Sequence, residues 1–310
     1  MKIDRRFFFK TGVLTLAGGL AAATEQKSTP IKEKMKSINL GTLVDTTLCI
    51  GCRKCEEACN RNNDLPRPQP SFQDKTVFRE KRRPDKNAFT VVNQYPGRPS
   101  ADQKKTRSTH VKVQCMHCLT PACVSACVVG AMSILDDGSV VYNKTICLGC
   151  RYCMVACPFD VPAYEYDRAL LPRVRKCQFC ADQNQNKGAN PACAAACPTE
   201  ALVFGKRTDL LTLAKDRIKK RPDRYINHIY GEKEAGGTSW LYLAGRNMEE
   251  IDLIKMPQIS PAVLTEKIQH GIFKYGLLPM AAYGILYTVM LRKKKNETKA
   301  AKKNQEGEAQ

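Results

Sequence analysis

The sequence predicts an α+β protein of short strands and helices, built as tandem cysteine-ligated modules and followed by a single C-terminal transmembrane helix. Two observations lead to this prediction. All sixteen cysteines fall between Cys49 and Cys197, in four groups of four, and this arrangement is an internal repeat. The run from Tyr275 to Leu291 holds seventeen residues without a charge and is followed by four consecutive cations. Runs of this length are the shortest that span a bilayer as a helix.

The spacing within the groups indicates the cofactor. The third group, CLGCRYCMVACP, reads C-x2-C-x2-C-x3-C and ends on proline. Three thiols at i, i+3 and i+6 can reach three corners of one cubane, and the fourth thiol can ligate a neighbouring cluster. Soft thiolates also suit iron–sulfur chemistry better than any hard metal. The pattern therefore predicts [4Fe-4S] clusters in pairs, ligated by four groups: Cys49, Cys52, Cys55 and Cys59; Cys115, Cys118, Cys123 and Cys127; Cys147, Cys150, Cys153 and Cys157; and Cys177, Cys180, Cys193 and Cys197.

Disulfides and zinc are the competing uses of these cysteines. Export to an oxidising compartment would favour disulfides, but disulfide frameworks do not repeat this spacing. Structural zinc is usually held by two short cysteine pairs that are separated by a longer loop. Zinc stays an alternative mainly for the fourth group, which has twelve residues between Cys180 and Cys193.

The formal net charge of +20 would ordinarily suggest nucleic acid as a partner. A [4Fe-4S] core held by four thiolates carries about −2, so four such sites lower the total to about +12. The first 23 residues and the tail from Arg292 hold a further +7 of that charge. Because no nucleic-acid motif accompanies the remaining charge of about +5, we exclude a nucleic-acid partner.

The N-terminus is typical of an export signal. The segment DRRFFFK, with Arg5 and Arg6, resembles the twin-arginine motif, and a short apolar stretch with small residues follows it. An ordinary secretory signal that contains two arginines is the alternative. Residues 1–23 are therefore predicted to be a twin-arginine export signal, and residues 24–38 to be a polar linker.

Residues 39–207 are predicted to form the cluster-binding domain. Within it, residues 60–114 are an insertion, mostly a surface excursion, with NAFTVV and HVKVQ as short strands. For the charge run REKRRPDK in this insertion we favour a solvated face.

Residues 208–271 are predicted to be a C-terminal extension. PTEALVFG, just before it, and TSWLYLAG, within it, are predicted to be strands. Thr208 is expected to cap a helix that runs to about Lys220 and stops before Pro222. Its apolar positions, Leu210, Leu211, Ala214 and Ile218, fall on one helix face.

Residues 272–291 are predicted to be the membrane anchor, with a buried core helix as the alternative, and residues 292–310 a basic tail. Cations prefer the cytoplasmic side, so the tail is expected in the cytoplasm and the bulk of the chain on the periplasmic side of the inner membrane.

No catalytic residue is predicted, because no phosphate-binding glycine loop and no nucleophile–base set is present, so substrate chemistry is assigned to another chain. Of the four histidines, His117 lies inside the second cysteine group and is expected to pack or to tune rather than to ligate. His270, just before the predicted anchor, is more consistent with a surface histidine than with a haem ligand.

The order and connections of the four groups resemble the four-cluster ferredoxin-like electron-transfer subunits of formate dehydrogenases and dimethyl sulfoxide reductases. This resemblance covers residues 40 to 207. The segments DTTLCIGCRKC, HVKVQCMHCLTPACVSAC, YGEKEAGGTSWLYLAG and IQHGIFKYGLLP look more specifically like the HybA-type subunit of membrane-bound hydrogenase-2. The resemblance implies four [4Fe-4S] clusters and a role in carrying electrons between a nickel–iron hydrogenase dimer and an integral-membrane, quinone-reactive subunit.

The resemblance also implies how the groups share their fourth ligands. The first group pairs with the fourth, and the second with the third. The implied clusters are held by Cys49, Cys52, Cys55 and Cys197; by Cys177, Cys180, Cys193 and Cys59; by Cys115, Cys118, Cys123 and Cys157; and by Cys147, Cys150, Cys153 and Cys127.

Three alternatives to the hydrogenase role stay open at this point. The first is the iron–sulfur subunit of a formate dehydrogenase or another molybdoenzyme. The second is a zinc-stapled scaffold that anchors other proteins at a membrane. A free-standing enzyme is the weakest alternative.

Overall fold

A computed structural model describes residues 39–97, 108–181, 189–275 and 277–307. The predicted export signal over 1–23 and the predicted linker over 24–38 lie outside the described residues. All sixteen cysteines lie inside them.

A three-stranded sheet joins the two ends of the cysteine-rich region. Strand β1 (Leu40–Asp45) lies in the middle, antiparallel to β8 (Leu202–Lys206) and parallel to β9 (Trp240–Leu243). The strands predicted in PTEALVFG and TSWLYLAG are β8 and β9, and both are confirmed. Because β1 directly precedes the first cysteine group and β8 directly follows the fourth, their pairing draws these two groups together.

Three two-stranded antiparallel sheets complete the strand content of the described residues. The strands predicted in NAFTVV and HVKVQ are confirmed as β2 (Thr90–Tyr95) and β3 (Thr109–Gln114). Their side chains are largely buried, so this part of the insertion belongs to the core rather than to the surface. The other pairs are β4 (Met132–Ile134) with β5 (Val140–Tyr142), and β6 (Ala163–Tyr164) with β7 (Val174–Arg175).

Helices are short within the cysteine-rich region and longer after it. The short ones are α1 (Lys54–Asn62), α2 (Ala122–Ser125), α3 (Tyr152–Ala156) and α4 (Ala192–Ala195). The long ones are α5 (Arg207–Lys220), α6 (Pro261–Tyr275) and α7 (Leu277–Gly307). Single 3-10 turns occur at Thr76–Arg79, Glu234–Gly236 and Met248–Ile251.

Helix α5 confirms the predicted apolar face but not the predicted cap. Leu210 and Ala214 are buried, with Leu211 and Ile218 packed against the same cluster, and the helix ends at Lys220 as expected. The expected capping role of Thr208 is wrong. Because β8 runs directly into the helix, the N-cap is Lys206, two residues earlier than predicted, and the Thr208 hydroxyl donates to Asp209 Oδ1 instead.

A buried carboxylate ties α1 to the hairpin of β2 and β3. Glu56 is 4% exposed and accepts from the guanidinium groups of Arg53 (3.0 Å) and Arg82 (2.6 Å) and from the backbone N–H of Val92 (2.6 Å). Arg82 belongs to the run REKRRPDK. Most of this run is exposed, as expected, but Arg82 is only partly exposed and neutralises a buried charge.

No helix in the described part of the chain is both long and apolar enough to cross a bilayer. The anchor predicted over 272–291 is therefore not borne out. Within the described residues, α6 covers the predicted run up to Tyr275 and α7 covers it from Leu277.

The Glu56 network makes a stability prediction. Replacing Glu56 with Gln leaves the Arg53 guanidinium, which is 1% exposed, without a countercharge. We expect the free energy of unfolding to fall by about 3–5 kcal/mol, because an uncompensated charge stays buried. Urea unfolding measures the loss as a lower transition midpoint, with the dependence of the unfolding free energy on urea concentration (the m value) unchanged.

Glu57 supplies the matched control in the same helix. Its carboxylate is 37% exposed and lies 3.4 Å from Arg61, which is 78% exposed. The Glu57→Gln variant is expected to lose no more than about 0.5 kcal/mol. Equal losses for the two variants would contradict the assignment of Glu56 as a buried structural charge.

Candidate iron-sulfur centre

The four cysteine groups share one backbone feature, which is a left-handed residue immediately before the second cysteine. The φ angles are +66° at Gly51, +46° at His117, +71° at Gly149 and +62° at Phe179. Two of these residues are glycine, which adopts this conformation freely, whereas histidine and phenylalanine are strained by it. The sequence repeat is therefore also a structural repeat, since each group turns its chain at the same point.

The third cysteine of each group occupies the same helical position. Cys55, Cys123, Cys153 and Cys193 are each the second residue of a short helix, namely α1, α2, α3 and α4. A turn with a backbone hydrogen bond three residues after the last cysteine recurs in the second, third and fourth groups, where Gly130, Asp160 and Glu200 donate to the carbonyls of Cys127, Cys157 and Cys197.

Cys59 of the first group lies among the thiols of the fourth group. Burial raises the pKa of the Cys59 thiol well above its usual value, and the charges of Cys177, Cys193 and Cys180 raise it further. The structure therefore brings together the four sulfurs that the resemblance assigns to one cluster. Packing of α1 against α4 positions them.

The rest of the first group lies beside the same fourth group. Burial raises the pKa of Cys55, and the charges of Cys193 and Cys49 add to this effect. Cys55 and Cys197 pack against the same core cluster as Trp240. Cys52 lies in the loop between Cys49 and Cys55.

The second and third groups exchange their last cysteines in the same way. Burial raises the pKa of Cys118 well above its usual value, followed by the charges of Cys115, Cys157 and Cys123. Cys157 of the third group therefore lies with the first three cysteines of the second.

The converse set is equally close. Burial raises the pKa of Cys153 to about 11, with contributions from the charges of Cys127, Cys147 and Cys150. Cys127 of the second group thus lies with the first three cysteines of the third, and Cys150 is the one exposed cysteine of the sixteen.

Backbone and amide N–H groups point at several of the sulfurs. The N–H of Gly149 donates to Cys147 Sγ and that of Phe179 to Cys177 Sγ, each at 3.4 Å and each two residues beyond its cysteine. The side-chain amides of Asn62 and Asn63 lie 3.6 Å from Cys180 Sγ and Cys59 Sγ. The additional donors to sulfur include the N–H of Met132, which is directed at Cys127.

The donor set fits an iron–sulfur cofactor. None of the sixteen cysteines forms a disulfide. Crowded, buried thiols hold one another protonated, and a cationic core at the centre of each set would reverse this effect. A tetrahedral zinc ion would bring its thiolates to about 3.8 Å from one another. In the ranges that the structure describes, no three Cys, His, Asp or Glu side chains converge on such a single-ion site.

Sequence reasoning missed two lysines that lie beside the cysteines. Lys112 and Lys176 are each 2% exposed. Lys176 Nζ donates to the carbonyls of Val140 and Cys177. The alternation of HVKVQ was a usable signal for a strand, but it did not show that the face with Lys112 would be covered.

His117 is a packing residue, as one of the expected roles had it. Its ring is fully buried and lies 4.8 Å from that of Phe179. Its Nδ1 accepts from the backbone N–H of Val140 at 3.0 Å. Burial lowers the pKa of His117 well below its usual value, and the charges of Lys176 and Lys112 lower it further, so the imidazole is neutral. The side chain of His270 lies outside those that the structure describes.

Comparison with known proteins agrees with this geometry. The family model for the 4Fe-4S dicluster domain matches residues 107–207, which hold the second, third and fourth cysteine groups.

Several whole-chain relatives extend the similarity to the first group. A protein of Nitratidesulfovibrio vulgaris is 49% identical over 243 residues, and the match spans 78% of this chain but 64% of that longer protein. The hydrogenase-2 operon protein HybA of Escherichia coli O157:H7 is 35% identical over 284 residues, or 84% of this chain and 86% of that protein.

The similarity also includes a second kind of complex. The nitrate-inducible formate dehydrogenase iron-sulfur subunit of Escherichia coli K12 is 30% identical over 280 residues, which is 86% of this chain and 87% of that subunit. With thiol groups arranged for iron–sulfur clusters and relatives that match most of its length, the chain belongs to the family of HybA-type, ferredoxin-like iron–sulfur electron-transfer subunits, which are not themselves the catalytic subunits of their complexes.

Proposed function

We propose that this chain carries electrons through four [4Fe-4S] clusters between a nickel–iron hydrogenase dimer and an integral-membrane, quinone-reactive subunit. When bound, such clusters supply one-electron carriers. The observation that supports the count of four is the meeting of thiols from different groups, since Cys59, Cys127 and Cys157 each lie with three cysteines of another group. Sixteen cysteines in four such sets match four clusters without a remainder.

The neighbours between sets support a linear order of carriers. We call the two sets formed by the first and fourth cysteine groups the outer sets, and the two sets formed by the second and third groups the inner sets, after their order in the sequence. Cys55 of one outer set lies beside Cys193 of the other. Burial raises the pKa of Cys177 to about 12, and the charge of Cys115 is the next cause, so the outer sets meet the inner sets at this pair.

The two inner sets also meet. Burial raises the pKa of Cys123 to about 12, and Cys153 is among the charges that add to it. An electron entering at one end of the series would therefore pass four sites in turn. The set that contains the exposed Cys150 forms one end of this series.

The protein's own contribution is to bury, separate and orient these sites. The turns before the second cysteines fix the loops, and N–H donors such as those of Gly149 and Phe179 stabilise negative charge on sulfur. Five of the sixteen cysteines are buried and ten are partly buried. Exclusion of water from a site lowers the reorganisation that accompanies a change of charge.

The hydrogenase partner is proposed from the higher identity to HybA, 35%, than to the formate dehydrogenase subunit, 30%. The latter similarity makes a molybdoenzyme subunit the second candidate. The arginine pair Arg5 and Arg6 supports export of the folded, cluster-loaded chain to the periplasmic side. Loading before export would keep the thiols from meeting an oxidising compartment empty.

Metal analysis of the natural complex tests the proposal. We expect about sixteen irons per chain and visible absorption that dithionite bleaches. A nickel-containing partner is expected to co-purify with the chain. A molybdopterin protein in its place would favour the second candidate. Zinc in a colourless protein would contradict both the hydrogenase and the molybdoenzyme candidate.

Double substitutions test the sharing of ligands between groups. Cys59→Ala and Cys180→Ala are expected to disable the same cluster, so the double variant should lose about four irons, as each single variant does. Cys59→Ala combined with Cys52→Ala should lose about eight irons, because these residues serve different clusters.

Iron content of the purified complex is the measurement for both pairs. The opposite pattern, with about eight irons lost for Cys59 with Cys180 and about four for Cys59 with Cys52, would mean that each group of four holds its own cluster.

A further inference from the structure

Lys112 is a buried charge that no carboxylate balances. Its side chain is 2% exposed. Nζ donates to Gln114 Oε1 at 2.9 Å and lies 4.3 Å from the ring centroid of Trp240. Within the described ranges, no Asp or Glu pairs with this ammonium. The buried guanidinium of Arg53, by contrast, forms an ion pair with Glu56.

The surroundings of Lys112 are neutral as well as dry. Gln114 Nε2 donates to the Tyr242 hydroxyl at 2.7 Å, and that hydroxyl donates to the Lys112 carbonyl at 2.8 Å. Trp240 and Tyr242 are fully buried. Moving an ammonium from water into such a site costs several kcal/mol unless an opposite charge compensates it.

Among the described residues, the negative charges available to compensate it are those that the cysteines would carry as cluster ligands. Burial lowers the pKa of Lys112, but the charges of Cys193, Cys55, Cys177 and Cys59 outweigh burial, and the net pKa is raised. These four cysteines belong to the first and fourth groups, and therefore to the two outer sets. Trp240, over whose ring the Lys112 ammonium lies, belongs to the same core cluster as Cys193, and Cys55 and Cys197 pack against that cluster. Lys112 thus lies where the outer sets meet.

We propose that the ammonium of Lys112 is a fixed countercharge that raises the reduction potentials of the two outer clusters relative to the two inner ones. The proposal rests on the proposed function, because it requires those clusters. A cluster with four thiolates passes from about −2 to about −3 on reduction, so a nearby buried cation favours the reduced form. Little water lies between the charges to screen this effect.

Redox titration of the complete complex, followed by electron paramagnetic resonance, tests the proposal. Lys112→Met keeps the length and apolar stem of the side chain and removes its charge. We expect two of the four reduction steps to become less favourable by about tenfold, which is ~59 mV for a one-electron couple, and the other two to stay unchanged.

Two further variants separate charge from structure. Lys54→Met removes a lysine next to Cys55 in sequence, but Lys54 is exposed and water screens its charge. The four reduction potentials of the Lys54→Met variant are expected to match those of the unaltered complex. Lys112→Arg retains the charge and should also retain the potentials. Unchanged potentials in Lys112→Met, a shift of all four steps, or an equal shift in Lys54→Met would each overturn the proposal.

Iron content distinguishes failure of this inference from failure of the proposed function. An iron content well below about sixteen per chain in the unaltered complex would contradict the proposed function itself. If Lys112→Met and Lys112→Gln both lose about eight irons while Lys112→Arg retains them, the charge is needed to hold the outer clusters, and the countercharge role is supported. If Lys112→Arg loses them as well, Lys112 acts as a structural side chain and the proposal is overturned.

Discussion

The arrangement on which the fold depends is that the last thiols of several cysteine groups lie with the cysteines of another group. Cys59 lies with the fourth group, Cys157 with the second and Cys127 with the third. The chain must therefore close on itself, with its first group against its last. The parallel and antiparallel partners of β1 and the packing of α1 against α4 meet this requirement. Topology here follows from where the fourth thiol must go.

Local patterns allowed much of this arrangement to be predicted from the sequence. The strands β2, β3, β8 and β9 follow runs of alternating or β-branched residues, and the apolar face of α5 follows helical spacing. The spacing of the first and third groups predicted three-thiol tripods, and the assignment of all four sets came from the family resemblance. These features depend on short stretches of chain.

What could not be predicted depends on contacts between distant segments. Arg82 and Glu56 are 26 residues apart, so a charge run that looks solvated supplies a buried ion pair. Thr208 looks like a cap, but β8 continues into α5, and the N-cap position falls on Lys206, two residues earlier. Lys112 alternates with valines on a strand, and only the covering of that face by Trp240 makes it a buried charge.

The packing of the inner half of the molecule links cofactor binding to folding. The buried residues of its core cluster are Met132, Val140 and Val174 together with two cysteines, Cys123 and Cys153, so thiols take two of five buried positions. If thiols that occupy core positions bind a cluster, the binding free energy adds directly to the folding free energy, as it does in small metal-dependent domains. Loading would then stabilise the fold. An export route for folded proteins requires loading before export, so the predicted twin-arginine signal and the cysteine sets would have a common physical reason to occur in one sequence.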